Sequence, residues 1–281
     1  MLLFGKPVAE AIEQNILKGV SELESKAVTP TISIVRIGNH EDDLTYEKMI
    51  IKHGKRTGID VRRTVLNENS SQYEVECAIR NVNFDKEVHG VLLLRPLPSH
   101  IDEEKICSML SYKKDIDGIT PTSTDHVFSN RGPGFSPCTA EACIRLLEHY
   151  DIPLEGKNVA VIGRSLVIGK PVSLMLINKN ATVTICHSKT QNIAEKCRNS
   201  DIIVAAAGKP EFITSDFMSE RQTIIDVGIN VNSEGKLVGD VDIAAAQMKN
   251  CSITPVPGGV GAITSMLLLW HTVLAAYDSL K

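Results

Sequence analysis

The segment with the strongest fold signal is Val159-Ala160-Val161-Ile162-Gly163-Arg164-Ser165-Leu166-Val167-Ile168-Gly169-Lys170-Pro171. Its four leading apolar residues predict a short buried strand, and Pro171 suits the first turn of a following helix. A strand that passes through a glycine turn into a helix presents free backbone N–H groups to a pyrophosphate. Because the spacing is not G-x-G-x-x-G, an ordinary structural turn is the alternative, which Arg164 and Ser165 disfavour.

On both sides of this segment, short apolar runs alternate with polar or mixed segments that are long enough to form helices. In the second half of the chain the further runs are Thr182–Cys186, Ile202–Ala207 and Thr223–Val227. In the first half the patterns predict strands at 32–37, 61–66 and 90–94 and helices at 8–25, 43–57 and 74–83. This alternation is typical of strands that are joined by helices into parallel sheets.

The fold class predicted from these patterns is α/β with two domains. Residues 1–140 are expected to form an N-terminal α/β domain, and residues 141–262 a C-terminal Rossmann-type, doubly wound domain. The apolar stretch from Ala262 to Tyr277 predicts a buried C-terminal helix, and residues 263–281 are expected to pack back onto the first domain.

Composition narrows the class of function. The 281 residues are 43% hydrophobic and carry a net charge of −4 with mixed signs, which supplies no basic stripe for nucleic acid. The seven cysteines include no C-x-x-C pair, so neither a disulfide framework nor a metal site is expected. No apolar stretch predicts a signal peptide or a bilayer crossing. We expect a cytoplasmic enzyme that acts on a small molecule, without a membrane or nucleic-acid partner.

The choice of cofactor depends on the residues after the second strand of the nucleotide fold. Folds that bind NAD usually place an acid there for the ribose 2′-hydroxyl. This chain instead has Ser188 and Lys189, and Arg164 lies in the preceding turn. A hydroxyl and a guanidinium hold a 2′-phosphate through charge-assisted hydrogen bonds, so NADP is predicted over NAD. Lys189 carries less of the inference, since it is equally well explained as a solvated charge.

Further motifs follow one another along the chain in a specific order. They are Tyr46 with Gly58-Ile59; His89-Gly90; Pro96-Leu97; Lys114-Asp115-Ile116-Asp117-Gly118; Pro137-Cys138-Thr139; Gly163-Arg164-Ser165; Cys186-His187-Ser188-Lys189-Thr190; Asp226-Val227-Gly228-Ile229-Asn230; Gly239-Asp240-Val241; and Thr254-Pro255-Val256-Pro257-Gly258-Gly259-Val260-Gly261. In this order the chain resembles the methylenetetrahydrofolate dehydrogenase/cyclohydrolase family over essentially its whole length.

The resemblance implies a folate site between the two domains and a homodimer. It implies that Tyr46 packs near the pterin and aminobenzoate of a tetrahydrofolate substrate and that Asp117 hydrogen-bonds the pterin edge. Without the surrounding motifs, Asp117 would be taken as a turn residue and Tyr46 as an ordinary half-buried tyrosine. The other positions that the resemblance assigns are Pro257, Gly258 and Gly259 for the substrate, and Gly163, Arg164, Ser165, Ser188 and Ile229 for the cofactor. Family members usually have proline where this chain has Ala262.

Two positions depart from the pattern of the bifunctional family members. Those members have a lysine four residues after the tyrosine, which transfers the proton in the cyclohydrolase reaction, and a glutamine that hydrogen-bonds it. Here the positions hold Ile50 and Leu94. Neither side chain can abstract a proton or donate a hydrogen bond, whereas hydride removal needs no protein acid or base. The sequence therefore predicts dehydrogenase activity without cyclohydrolase activity.

Two alternatives stay open at this point. In the first, Lys48, Lys52 or Arg95 replaces the missing lysine and the enzyme remains bifunctional. Lys48 and Lys52 lie two and six residues from Tyr46, so on a helix they point away from its face. In the second, the chain is a non-catalytic folate- and NADP-binding protein, which the intact Gly163-Arg164-Ser165 and Pro257-Gly258-Gly259 segments disfavour.

Overall fold

The computed structural model describes all residues from 1 to 281 and divides into two compact units. The three-stranded unit consists of Ala11–Cys138 and Ser265–Lys281, and the five-stranded unit of Met1–Glu10 and Thr139–Thr264. Both units have parallel sheets with helices between the strands. The predicted α/β class with two units is confirmed.

The three-stranded unit contains most of the first half of the chain. Its elements in chain order are α1 (Gly5–Glu24, which starts in the other unit), β1 (Thr31–Ile37), α2 (Glu41–Thr57), β2 (Asp60–Leu66), α3 (Gln72–Phe84), β3 (Gly90–Leu93), α4 (Glu103–Met109) and α5 (Pro121–Ser129). The strand order is β2-β1-β3, and every residue of the central strand β1 is buried. Local signals set the helix ends: Ser71 and Glu74 form a capping box before α3, and Gly58 ends α2 in the left-handed conformation.

The five-stranded unit is doubly wound. The remaining elements are α6 (Cys138–His149), β4 (Asn158–Ile162), α7 (Gly169–Ile177), β5 (Thr182–Cys186), α8 (Ile193–Arg198), β6 (Ile202–Ala205), β7 (Thr223–Asp226), β8 (Asn230–Val231), β9 (Leu237–Val238), α9 (Ile243–Met248), β10 (Ser252–Ile253) and α10 (Gly261–Asp278, most of which lies in the three-stranded unit). The sheet order is β10-β7-β6-β4-β5, so the chain reverses its direction of winding at β4. Ligands of such sheets bind at the carboxyl end of the strands at that point.

Contacts between segments that are far apart in the sequence complete the two units. Leu3 donates its N–H to the carbonyl of Ile253 at 2.8 Å, so the first residues of the chain extend the five-stranded sheet beside β10. In the three-stranded unit α10 packs against α1, since a Cβ on Gly19 would lie 2.6 Å from Val273 Cγ1. None of the helices has the length and apolar character needed to cross a membrane.

Candidate active site

Helix α2 presents Tyr46 and Ile50 one turn apart in the three-stranded unit. Tyr46 is half-buried, whereas Ile50 has no exposed surface. Lys48 and Lys52 on the same helix are exposed, as the helical spacing predicts. The position at which the bifunctional pattern has lysine is therefore a fully buried aliphatic position, and both nearby lysines face solvent.

A buried ion pair anchors α2 beside Tyr46. Arg36 Nε on β1 lies 3.0 Å from Glu47 Oε2, and both side chains are about 5% exposed or less. The Arg36 guanidinium also donates to Asn39 Oδ1 at 2.7 Å and to the carbonyl of Gly38. Because Glu47 directly follows Tyr46, this pair fixes the rotation of α2 about its axis and hence the direction of the tyrosine.

Asp117 lies in a turn that packs along β3. Val91 donates its N–H to the carbonyl of Lys114 at 2.7 Å, and the buried Asp115 carboxylate accepts the N–H groups of Ile119 and Thr120 at 2.9 and 2.7 Å. Gly118 has φ +67, and a Cβ there would lie 2.6 Å from Pro137 N. These contacts hold the turn, and the Asp117 carboxylate in addition accepts hydrogen bonds from Cys138.

Electrostatic interactions couple Tyr46 to Asp117 and Asp117 to Arg95. Loss of water around Asp117 raises the pKa of its carboxyl to about 6. The positive charge of Arg95 lowers this pKa, and the negative charge of Asp115 raises it further. Hydrogen bonds from the Cys138 side chain and backbone also oppose the rise of this pKa. Burial raises the pKa of Tyr46 well above its ordinary value, and the charge of Asp117 adds to that. At neutral pH the site thus combines a phenol that keeps its proton with a carboxylate that is easily protonated.

Leu94 and Arg95 follow β3 at the same edge of the sheet. Leu94 is 7% exposed, and its N–H donates to the carbonyl of Val35 at 3.0 Å. Arg95 Nη1 lies 3.3 Å from Glu103 Oε1, and the second oxygen of Glu103 accepts the N–H of Leu97 at 2.9 Å. The backbone that carries Leu94 is therefore held on both sides, and the glutamine position is apolar and buried.

Two residues behind Asp117 were assigned no role from the sequence. His271 on α10 donates from Nδ1 to the carbonyl of Ile116 at 2.8 Å, and Cys138 donates from Sγ to the same carbonyl at 3.2 Å. The His271 ring also stacks on Phe135, with ring centroids 4.9 Å apart. The signal that could have indicated His271 is a histidine followed by a threonine inside an otherwise apolar helix, since such buried polar groups need partners.

The glycine turn after β4 is shaped by close backbone contacts in the five-stranded unit. Gly163 has φ +131, and a Cβ there would lie 2.2 Å from the carbonyl oxygen of Ala206. A Cβ on Gly169 would lie 2.3 Å from the carbonyl oxygen of Gly163. Both positions therefore exclude any side chain, and the turn leads directly into the N-terminus of α7, where free N–H groups favour a phosphate.

Arg164 and Ser188 occupy matching places just beyond the ends of the neighbouring strands β4 and β5. Ile162 at the end of β4 pairs with Cys186 at the end of β5. Arg164 and Ser188 each lie two residues beyond this pair. Both side chains are exposed, as are Ser165 and Lys189. The turn after β5 is closed by His187, whose N–H donates to Thr190 Oγ1 at 2.9 Å, and it contains no acid. This corner of the unit suits a phosphate and lacks the carboxylate that would repel one.

The loop with Pro257, Gly258 and Gly259 joins β10 to α10. Gly258 has φ +108, and its carbonyl accepts the N–H of Gly5 at 2.8 Å. Ile229, in the segment after β7, is 69% exposed, and its Cδ1 lies 3.9 Å from where a Cβ on Gly261 would be. The structure thus brings Ile229 close to the end of this loop, at the carboxyl edge of the sheet.

Comparisons with known proteins agree with these features. The family described as "Tetrahydrofolate dehydrogenase/cyclohydrolase, catalytic domain" matches residues 3–117, and the corresponding "NAD(P)-binding domain" matches residues 137–280. A protein from Clostridium kluyveri named "Bifunctional protein FolD" is 44% identical over 275 residues, which is 98% of this chain and 97% of that protein.

Solved structures give the same result. The bifunctional FolD enzyme from Campylobacter jejuni superposes with a TM-score of 0.96 at 38% identity, over 99% of both chains. The FolD enzyme from Trypanosoma brucei, solved with NADP cofactor and an inhibitor, has a TM-score of 0.94 at 33% identity, over 100% of this chain and 98% of that one. The resemblance inferred from the ordered motifs is confirmed, and the chain belongs to the tetrahydrofolate dehydrogenase/cyclohydrolase family.

Proposed function

We propose that this chain is an NADP-dependent methylenetetrahydrofolate dehydrogenase that has lost the cyclohydrolase activity. The observation that carries the proposal is the pair Ile50 and Leu94. Both are buried aliphatic side chains at the two positions where the bifunctional pattern has lysine and glutamine. The product of the reaction is then methenyltetrahydrofolate, released without enzymatic hydrolysis.

Oxidation of the methylene bridge requires little of the protein beyond positioning the substrate and the cofactor. The hydride leaves a carbon flanked by two nitrogens, whose lone pairs stabilise the resulting amidinium cation, so no side chain must transfer a proton. Asp117 accepts N–H donors from the pterin edge, since a carboxylate offers two oxygens to a planar pair of donors. Tyr46 presents its aromatic face to the planar part of the substrate. Their roles are to bind and to orient.

NADP fits the residues of the five-stranded unit. The Gly163 turn packs closely against the Ala206 backbone and leads into the N-terminus of α7, Arg164 and Ser188 suit a 2′-phosphate, and the turn after β5 offers no acid. The Trypanosoma brucei relative was solved with NADP. When bound, this cofactor supplies the acceptor for the hydride. Pro257, Gly258 and Gly259 form a backbone surface that can approach the substrate closely.

Hydrolysis of the methenyl product has stricter requirements. Water must be deprotonated as it adds to the cation, and general-base catalysis of such a step contributes about 10²–10⁴ in rate. Ile50 cannot serve, Lys48 and Lys52 are exposed, and an arginine such as Arg95 does not release its proton in proteins. Tyr46 keeps its proton because burial raises its pKa. The site therefore lacks a group equivalent to the lysine.

The experiment follows methenyltetrahydrofolate absorbance in a buffer with low intrinsic hydrolysis, next to NADP- and NAD-dependent oxidation of methylenetetrahydrofolate. We expect oxidation with NADP and decay of the methenyl product at the buffer rate. Ile50→Lys alone should gain little, because an ammonium against Leu94 is desolvated without a partner. Ile50→Lys with Leu94→Gln should gain hydrolysis beyond the sum of the single changes. Ile51→Lys with Leu94→Gln is the matched control, since it puts the lysine on another face of α2.

A bifunctional enzyme is the second candidate, and two observations favour it. The Clostridium kluyveri relative carries the name of a bifunctional protein, and this chain has Asp117 with a pKa of about 6 beside Arg95. A carboxylate of that pKa is suited to accept a proton near neutral pH. Rapid methenyltetrahydrofolate hydrolysis by the wild type, abolished by Arg95→Leu, would select this candidate. The absence of any NADP-dependent absorbance change would instead favour a non-catalytic binding protein.

A further inference from the structure

Asp240 is a fully buried carboxylate that is saturated with hydrogen bonds in the five-stranded unit. It lies just after β9, and its two oxygens accept three successive backbone N–H groups, those of Ala207 at 2.5 Å, Gly208 at 3.0 Å and Lys209 at 2.9 Å. Gly208 has φ +64, which turns these N–H groups toward one point. Successive N–H groups arranged in this way form an anion-binding nest, and here a side chain of the protein fills it.

The nest belongs to the loop that supports the glycine turn. This loop follows β6, and the Ala206 N–H donates to the carbonyl of Ile162 at 2.8 Å. The carbonyl oxygen of Ala206 lies 2.2 Å from where a Cβ on Gly163 would be, so the loop is packed against the turn itself. A movement of the loop away from Asp240 would therefore move the surface on which the cofactor turn rests.

The same carboxylate also holds the segment around Ile229. Asn230 Nδ2 donates to Asp240 Oδ1 at 2.9 Å, and a Cβ on Gly228 would lie 2.4 Å from the Asp240 carboxyl carbon. Ile229 stands between these two contacts with 69% of its surface exposed. Its side chain projects outward because the residues on both sides are held inward.

A second carboxylate, that of Asp226, holds the backbone at Asp240. Asp226 Oδ1 accepts the N–H of Asp240 at 3.0 Å and that of Gly228 at 2.9 Å, and Oδ2 accepts the N–H of Val241 at 2.9 Å. Thr254 Oγ1 in turn accepts the N–H of Asp226 at 2.7 Å. Asp226 therefore supports Asp240, and Asp240 supports the two segments at the carboxyl edge of the sheet.

We propose that Asp240 is a positioning residue of the dinucleotide site: by filling the nest at residues 207–209 and binding Asn230, it holds the loop under Gly163 and the exposed Ile229 in the conformation that the cofactor binds. This inference rests on the proposed use of NADP. It does not require Asp240 to touch the cofactor. The charge is the essential property, because an amide at this position would turn an N–H donor toward the N–H groups of the nest.

The test measures the Kd of NADP, the KM of methylenetetrahydrofolate and the Tm for wild type and Asp240→Asn. Loss of charge-assisted hydrogen bonds should raise the Kd of NADP by about ten- to hundredfold, with the folate KM changed less than about twofold. Asp242→Asn is the matched control: Asp242 accepts the Ala245 N–H at 3.0 Å as the N-cap of α9, a role that asparagine fills equally well. The control should leave all three quantities unchanged.

A second variant tests the nest directly. Asp240→Ala empties it, and formate, compared with chloride at equal ionic strength, should lower the Kd of NADP for this variant but not for wild type. Equal losses of NADP and folate affinity in Asp240→Asn, or no loss, would overturn the proposal. If Asp240→Asn does not fold, Asn230→Ala, which removes one donor of four, should still raise the Kd of NADP about threefold or more, and no rise would overturn the proposal.

The wild-type measurements separate the two proposals. NADP turnover by the wild type tests the proposed function, whereas the ratio of variant to wild-type affinity tests the role of Asp240 and can be measured equally with NAD. A wild type that prefers NAD corrects the cofactor and leaves the ratio meaningful. A wild type that binds neither dinucleotide overturns both proposals.

Discussion

Asp117 in the three-stranded unit is half-buried and Asp240 in the five-stranded unit is fully buried, and the two carboxylates differ in how far the protein fills their acceptor capacity. Asp240 accepts three backbone N–H groups and an asparagine amide, so its acceptor capacity is filled by the protein. Asp117 receives hydrogen bonds from Cys138, and desolvation raises its pKa to about 6. Since a carboxylate has about four acceptor sites, Asp117 retains capacity for a ligand. Unfilled acceptor capacity fits Asp117 to the proposed role in ligand recognition, and filled capacity fits Asp240 to the proposed positioning of the backbone.

The units also differ in how their basic residues are placed. In the three-stranded unit Arg95 lies beside Asp117 with only 22% of its side chain exposed, and its guanidinium also pairs with the Glu103 carboxylate. In the five-stranded unit Arg164 and Lys189 are exposed at the carboxyl edge of the sheet. The first arrangement tunes a group of the protein, and the second suits a charged ligand.

The largest effect is expected from Asp117→Asn. An amide offers one acceptor oxygen where the carboxylate offers two, so the KM of methylenetetrahydrofolate should rise about ten- to hundredfold while the Kd of NADP is unchanged. Calorimetric titration with each ligand separates the two affinities. Asp102→Asn is the control, because Asp102 caps α4 by accepting the Lys105 N–H and asparagine can do the same. Equal losses in both affinities, with an intact fold, would contradict the pterin role of Asp117.

A pH series with saturating NADP tests the ionisation of Asp117. In the proposed function the pterin N–H donors require the Asp117 carboxylate, and burial raises its pKa to about 6. The folate KM should therefore be flat above pH 7 and rise as the pH falls through 6, by up to about tenfold for each unit below it. In Asp117→Asn this acid limb should disappear. An identical limb in the variant would assign the titration to another group.

Arg164→Ala should raise the KM of NADP by about five- to tenfold at low salt, with the KM of NAD unchanged. The reason is that only NADP carries the 2′-phosphate that an exposed guanidinium can bind, and solvent screening limits the gain. Lys179→Ala is a suitable control, since Lys179 lies beyond the other end of α7 and pairs with Glu148 at 2.6 Å. A wild type with the higher kcat/KM for NAD would show that the pocket was assigned to the wrong cofactor.

The smallest effect is expected from Arg95→Leu. The Arg95 charge opposes the rise in the pKa of Asp117, so its removal should move the acid limb of the folate KM to higher pH. Arg95→Lys keeps the charge and should leave the limb nearly in place. Lys48→Leu removes an exposed cation from α2 and should not move it. A limb that is unchanged in Arg95→Leu would mean that the guanidinium does not act on Asp117.

Local patterns were sufficient for most of the helices and strands. The runs predicted around Val159 and Thr182 are β4, inside the five-stranded sheet, and β5, at its edge. The helix predicted at 43–57 begins two residues earlier, at Glu41. The strand predicted at 202–207 ends at Ala205, because Ala207 gives its N–H to Asp240 rather than to a neighbouring strand. That difference depends on a residue more than thirty positions away, which no local pattern reports.

The α/β class, the glycine turn at Gly163 and the replacement of two polar positions by Ile50 and Leu94 could be predicted from the chain alone. These follow from residue type and spacing, because backbone conformation and side-chain chemistry are local properties. Only the tertiary structure placed Leu3 beside β10, His271 behind the Asp117 turn and Asp240 in the nest at residues 207–209. Each of these contacts joins residues that are distant in the chain, and each exists because a buried polar group must find its partner wherever the fold brings one within hydrogen-bonding distance.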